Sequence, residues 1–304
     1  MASPSSIVPC VWLNDQAEPA AAFYQRTFAK VGSQVTGISH YPQNVDNPSG
    51  LPRGSILTVE MAIADQRFTF LNGGPAFSPN ASISFFIHVA TPGEADTLFA
   101  TLREWGEVLM DLGNYPWSQR YGWVRERFGV SWQVTTTARA PGSPTIVPCL
   151  MFSGPQSGRA EEAMNQYTRV IPDSRIDAVA RYTAGEGPEG KVKYGRFTLG
   201  DQEMIAMDSH VSHDVTFNEG LSLQVICKDQ NHIDRTWAAL VDGGQPGRCG
   251  WLKDRFGLSW QVVPKEIGQW MASNDVQARD RVFAATMKMG KPDVAALTRA
   301  LAGT

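Results

Sequence analysis

The chain has 304 residues, 42% hydrophobic and 19% charged, with 27 Lys and Arg against 30 Asp and Glu. This is a globular composition of about two domains' length, which excludes wholesale disorder and collagen-like structure. No basic run is present that would neutralise several phosphates at once, so nucleic acid is not an expected partner.

Met1 to Cys10 lacks the positive region and apolar stretch of a secretory leader. The apolar stretches that follow are strand-sized, far below the roughly 20 residues that cross a bilayer. A cytoplasmic address without membrane association is expected. Cys10, Cys149, Cys227 and Cys249 are scattered with no CxxC pair, which predicts reduced thiols.

A first strand over 8–13 leads into a helix carrying Ala17, Ala21, Tyr24 and Phe28 at helical spacing. Strands over 57–63 and 67–72 straddle Ala64-Asp65-Gln66 as a hairpin does. A strand over 83–89, a helix over 91–105 and two closing strands around Gly122-Trp123 and Ser131-Trp132-Gln133-Val134 complete this half. A linker rich in Pro, Gly and Ser follows at 138–145.

Then the pattern begins again. Val8-Pro9-Cys10 returns as Val147-Pro148-Cys149, and Asp65-Gln66 as Asp201-Gln202. The run FGVSWQV at 128–134 returns as FGLSWQV at 256–262, identical at six of seven positions. The second copy has a strand over 147–152, a helix with Ala160, Ala163, Met164 and Tyr167, a hairpin over 194–207, a strand over 221–227, a helix over 230–241 and two closing strands. Each half is compatible with two βαβββ modules. Beyond Pro264 the spacing turns helical, with Val282, Phe283, Thr286 and Met287 on one face and Val294, Leu297 and Leu301 along another. The units are therefore 1–137, the linker 138–145, 146–265 and a helical tail over 266–304 that packs on a domain.

Several runs carry a resemblance: Val147-Pro148-Cys149-Leu150-Met151-Phe152, Ile171-Pro172-Asp173-Ser174-Arg175-Ile176, Phe197-Thr198-Leu199-Gly200, and Cys249-Gly250-Trp251 through Phe256-Gly257-Leu258-Ser259-Trp260-Gln261. They resemble the PhnB-like branch of the vicinal oxygen chelate (glyoxalase/bleomycin-resistance) superfamily. The likeness covers nearly the whole chain and is strongest in the second half; the first half has Tyr121 where the second has Cys249. It implies an α+β fold of tandem glyoxalase-like domains built from paired βαβββ modules, each curling an open sheet into a ligand-holding cup, with the helical tail added. The chain would be a monomer whose halves mimic a dimer, or a homodimer. Members often carry the label of a ubiquinone-pathway methyltransferase. The residues give that label no support, because no glycine-rich turn joins a parallel strand to a helix and Gly73-Gly74 runs into Pro75.

The resemblance also implies His, Glu or Gln on four inner strands holding a divalent metal. Those places here offer Val8-Pro9-Cys10, Val147-Pro148-Cys149 and Ile205-Ala206-Met207, leaving Gln133 or Gln261 as one weak ligand per cup. No cofactor is expected, and a metal is disfavoured. His210 and His213, near Asp208 and Glu219, read as loop histidines, while His88 shares a strand face with Ser84 and Phe86.

An aromatic-lined cup is expected from Trp12, Trp117, Arg120, Tyr121, Gln133, Met151, Trp251 and Gln261, with Trp117, Arg120 and Tyr121 closing over the first half's cup. Alternation sets Gln133 and Gln261 on the face opposite Trp132 and Trp260. Cys249, beside Arg248 and Gly250, is a candidate nucleophile with a lowered pKa, or else a small residue in a tight turn. Glu219 is a candidate general base, or else a solvated rim carboxylate. The function expected is metal-independent binding of a small molecule. The alternative is a lyase, isomerase or thiol transferase of the same superfamily acting on a small organic substrate.

Overall fold

The structure is a computed structural model and describes residues 6–209, 211 and 215–304. Four βαβββ modules follow one another. The first has β1 (Ile7–Leu13), α1 (Ala17–Thr27), β2 (Ser33–His40), β3 (Ile56–Ile63) and β4 (Gln66–Asn72). The second has β5 (Ile83–His88), α2 (Pro92–Leu102), β6 (Glu107–Tyr115), β7 (Ser118–Arg125) and β8 (Ser131–Thr135). The third has β9 (Ile146–Phe152), α3 (Ala160–Val170), β10 (Arg175–Arg181), β11 (Val192–Leu199) and β12 (Gln202–Asp208). The fourth has β13 (Leu221–Cys227), α4 (Gln230–Val241), β14 (Gln245–Pro246), β15 (Trp251–Lys253) and β16 (Ser259–Pro264). Three helices make the tail: α5 (Ile267–Met271), α6 (Val276–Met287) and α7 (Val294–Ala302).

The sheets do not follow the sequence halves. Sheet I runs β14-β15-β16-β13-β1-β4-β3-β2 and sheet II runs β10-β11-β12-β9-β5-β8-β7-β6. Modules one and four share sheet I, and modules two and three share sheet II. The seams are antiparallel pairs, Ile7 opposite Val225 through Val11 opposite Leu221, and Ile83 opposite Leu150 through Ile87 opposite Ile146. The expectation that each half curls its own cup is thereby corrected: each cup is built across the two halves. A pairing between distant segments has no local sequence signal; only the sheet shows it.

The halves are instead held together on the helix side. Within the first, the Tyr24 ring stacks on Phe70 at 5.3 Å and meets Trp132 at 5.9 Å, and Phe28 meets Trp132 at 4.7 Å. Within the second, Tyr167 meets Trp260 at 5.1 Å and Phe256 at 5.9 Å. Each tyrosine also donates to a buried carboxylate at a matching place, Tyr24 to Glu126 at 3.0 Å and Tyr167 to Asp254 at 2.7 Å. Trp132 and Trp260 are fully buried here, on the side that alternation assigns them.

Helix ends are satisfied locally. Thr91 and Glu94 form a capping box on α2, and Asp229, Asp275 and Asp293 cap α4, α6 and α7. The starts of α1 and α3 use the last residue of a strand instead. Asn72 accepts from the Ala17 N–H at 2.8 Å, and Asp208 accepts from Gly158 at 2.7 Å and Ala160 at 3.1 Å.

The tail touches both ends of sheet I. Asp280 accepts from the Gln43 and Asn44 N–H groups at 3.1 and 2.9 Å, beyond β2, and Phe283 packs on Tyr41. At the other end the Cys249 and Gly250 N–H groups donate to Met289 and Gly290, each at 2.8 Å. Among the described residues no helix is long and apolar enough to cross a membrane.

Candidate functional site

Alternation along the strands divides each sheet into a helix face and a cup face. In sheet II the cup face is largely apolar: Val147, Cys149 and Ile205 form a buried cluster with Phe86, Tyr194 and Met207 against it. Its polar elements are engaged. Tyr121 donates to Gln133 at 2.6 Å and Gln133 to Ser84 at 2.8 Å. Arg139, from the linker, makes a two-pronged contact with Glu203 at 2.6 Å and reaches His88 Nε2 at 3.2 Å. Burial, reinforced by the Arg139 charge, brings His88 down to about 4, so this imidazole is neutral and its Nε2 accepts from the guanidinium. The linker thus latches the second cup.

Sheet I presents a different surface. Its cup face holds Cys10 on β1, Thr69 on β4, Glu60 on β3, Ser222 and Gln224 on β13, and Gln261 on β16, with Trp251 paired in register to Gln261. A line of hydrogen bonds crosses the cup. Thr69 Oγ1 lies 2.8 Å from Glu60 and 3.0 Å from Gln224, which donates to Gln261 at 3.3 Å, which donates to Ser222 at 2.9 Å. Burial pushes the Cys10 thiol up to about 12 and moves Glu60 upward as well, against smaller opposing effects from Thr69, Arg67 and Thr58.

Two indoles from opposite halves, Trp12 and Trp251, meet edge to face at 5.8 Å on this cup face. Trp12 is seated by the Gly73-Gly74 pair. A Cβ at Gly73 would lie 2.2 Å from the ring, and the Gly74 carbonyl accepts from the indole N–H at 2.8 Å. That is the role of the glycine pair singled out in the sequence.

The expected site residues therefore separate. Trp12, Trp251 and Gln261 come together in sheet I, whereas Tyr121, Gln133 and Met151 belong to the sheet II cup face. Trp117 stacks on Tyr115 at 5.1 Å and stands half exposed at the end of sheet II. Arg120 does not close a cup: it pairs with Asp96 of α2 at 2.6 Å, on the helix side. Glu219 sits on the turn before β13 and pairs with Lys253 of β15 at 2.9 Å, a rim contact of the sheet I cup.

Cys249 is corrected more strongly. Its backbone has φ +58° and its sulfur lies 3.4 Å from Met287 Sδ. Burial raises its pKa, with Arg248 opposing, so it is no standing thiolate. The cavity it lines with Thr286 and Met289 is about 40 Å³, room for a water and not for a substrate.

Glu60 is a candidate site residue that sequence reasoning missed, as are Thr69, Ser222 and Gln224 beside it. Its strand neighbours Val59, Met61 and Ile63 face the core, so alternation alone marks Glu60 as a solvent residue. Only the register that sets it opposite Thr69 reveals it.

One further correction concerns the turn between a parallel strand and a helix. Gly154 and Gly158, both with positive φ, do lie between β9 and α3. The Asp208 carboxylate already occupies the N–H groups there, which leaves no cradle for a cofactor phosphate.

The donor chemistry of the described cup residues does not suit a divalent metal. Among the described residues no three His, Cys, Asp or Glu side chains cluster closely enough to hold an ion. His210 and His213 lie outside the described residues. The sheet I floor offers one carboxyl, bound to Thr69, and two amides bound to each other, a set that does not fit a divalent ion.

Comparison with known proteins agrees with this architecture. A family model described as 3-demethylubiquinone-9 3-methyltransferase matches residues 5–135 and again 144–263. No curated protein matches the chain. Among solved structures, glyoxalase I from Zea mays superposes with a TM-score of 0.52 at 11% identity, covering 84% of this chain and 91% of that one, which is a likeness of fold. The PhnB protein from Bacillus cereus, provisionally described as a 3-demethylubiquinone-9 3-methyltransferase, is 29% identical over 42% of this chain and 96% of its own, with a TM-score of 0.37.

Proposed function

The chain belongs to the 3-demethylubiquinone-9 3-methyltransferase family, matching it once in each half, and from that premise we propose that it binds a small planar organic molecule in the sheet I cup without a metal ion. The observation that carries this reading is the meeting of Trp12 and Trp251, one from each half, beside a floor of amides and hydroxyls. Indole faces and edges favour a flat ring, and a few fixed polar groups orient it, the usual composition of a small-molecule site. The quinone in the family's description is a ligand of this kind, a flat ring bearing carbonyl oxygens. The methyl transfer in that description is not part of the proposal, since Asp208 fills the one glycine-bearing strand-to-helix turn that would be considered for a cofactor.

The second cup is a poorer candidate because its floor is largely apolar and Arg139 is latched there to Glu203 and His88. Calorimetric titration with 2-acetylnaphthalene, a planar aryl ketone, tests the assignment. Trp251→Ala and Gln261→Ala are expected to weaken binding by about tenfold each, while Gln133→Ala in sheet II leaves it unchanged. Loss confined to Gln133→Ala, or no loss in any variant, would remove the sheet I cup from consideration.

A further inference from the structure

The two cup faces carry opposite charges at matching places. Three residues past Gln66, Thr69 stands opposite Glu60, and three residues past Gln202, Ile205 stands opposite Arg196. Arg67, which follows Gln66, is likewise exchanged for Glu203, which follows Gln202. In sheet I the exchanged groups compensate each other: burial raises the Glu60 pKa and Arg67 is among the groups that oppose it, so the two lie within electrostatic reach. In sheet II that compensation is lost. Arg139 enters from the linker and contacts both Glu203 oxygens at 2.6 Å, while His88 is neutral and adds no charge. Asp177 of β10 pairs with Arg175 at 2.8 Å and accepts from Thr198 at 2.7 Å, and across the sheet Arg125 pairs with Glu107. Arg196 is left exposed, with no ion pair or side-chain hydrogen bond among the described residues. The face has one surplus positive charge.

A neutral donor stands beside it. Tyr194 and Arg196 lie two apart on β11, and the residues alternating with them turn the other way, Gly195 against Met164 of α3 and Phe197 into the core. The Tyr194 hydroxyl makes no hydrogen bond among the described residues and is not sealed from solvent. Burial raises its pKa, so it keeps its proton at neutral pH; Arg139 and Arg196 are among the opposing charges, which sets both guanidinium groups within electrostatic reach of this hydroxyl. Next to the two donors lies the apolar floor. It runs from Ile205 of β12 through Cys149 and Val147 of β9 to Phe86 of β5, two strand spacings or about 10 Å. Tyr194, Phe86 and Met207 are each partly exposed, so floor and donors are open from the cup side.

We propose that the sheet II cup face is a second binding site, one that takes a small aromatic monocarboxylate, with the carboxylate on Arg196 and Tyr194 and the ring on Ile205, Phe86 and Met207. Guanidinium and carboxylate match in shape as well as charge. A monoanion cancels the surplus charge, whereas a phosphate dianion brings one charge too many. A polyhydroxy acid would set its hydroxyls unpaired against the apolar floor. This site is independent of what the sheet I cup binds.

The test uses the full chain at pH 7, titrated by calorimetry with sodium 2-naphthoate. The methionine methyl groups are carbon-13 labelled, so NMR of the same samples reports where the compound sits. Binding is expected, with a shift of the Met207 methyl signal, assigned by Met207→Leu. Arg196→Gln, a change at an exposed side chain, is expected to weaken binding about tenfold or more, and Tyr194→Phe about fivefold. Trp251→Ala in sheet I leaves the affinity unchanged. Absence of binding to the native chain, or equal affinity in Arg196→Gln, overturns the proposal. So does binding that leaves the Met207 signal in place, or that is lost in Trp251→Ala and kept in Arg196→Gln.

Discussion

Asp254→Ala is expected to lower the stability of the chain by about 4 kcal/mol, read as a shift of the urea midpoint at unchanged slope. Four donors converge on this one carboxyl group: the Tyr167 hydroxyl at 2.7 Å, the Trp260 indole at 2.8 Å, and the Phe256 and Leu258 N–H groups at 2.8 and 3.0 Å. Removing the side chain strands all four in a buried place, and each orphan costs about 1 kcal/mol or more. The damage spreads because the donors come from different layers. Tyr167 is on α3, Trp260 on β16, and the two N–H groups on the turn between β15 and β16. Asp254→Asn retains one acceptor oxygen and is expected to lose clearly less. A change under 1 kcal/mol in the alanine variant would mean that this carboxyl is not what ties modules three and four.

The matching group in the first half gives a pH dependence. Burial raises Glu126 from 4.5 to about 7, outweighing the donors it accepts from Tyr24, Phe128 and Val130. The folded chain therefore holds this proton more tightly than the unfolded chain, and between about pH 4.5 and 7 it binds more protons than the unfolded chain does. Stability from this group is complete below pH 4.5 and is lost as pH rises through 7, by an amount on the order of 3 kcal/mol. Asp254, also raised by burial, acts in the same direction. Urea midpoints measured across this window are expected to fall with rising pH in the native chain and to flatten in Glu126→Gln. Midpoints that climb with pH and are unchanged by the substitution would contradict the assignment.

What the sequence discloses follows from where its patterns are strong. The helices over 17–28 and 230–241 and the central strands carry long apolar periodicity, and they form as expected. The strands that periodicity misses are β2, β6, β10 and β14, and these four are the sheet edges. Paired on one side only, an edge strand needs no apolar run, and segments such as Arg175–Arg181 alternate polar residues instead. The crossing of modules between sheets is likewise illegible, since β1 pairs with a strand more than 200 residues away and nothing local to either strand encodes the partner.

The site divides in the same manner. Alternation correctly separates Trp132 from Gln133 and Trp260 from Gln261, because it depends only on neighbours along one strand. It cannot bring Trp12 to Trp251, which requires the seam between halves, and it treats Glu60 as a surface residue. Cys249 misleads for a related reason: a cysteine between Arg248 and Gly250 reads as open, and only the tail helices, packed from 38 residues further on, show it covered.

The most direct measurement is a crystal structure of the full chain with 2-acetylnaphthalene bound. The ring is expected against the Trp12 and Trp251 indoles on the sheet I cup face, beside the Gln224 and Gln261 amides, with no ion in the cup. Ligand density on the Phe86, Tyr194 and Met207 surface of sheet II, with Trp12 and Trp251 uncovered, would contradict a functional cup built from the first and fourth modules.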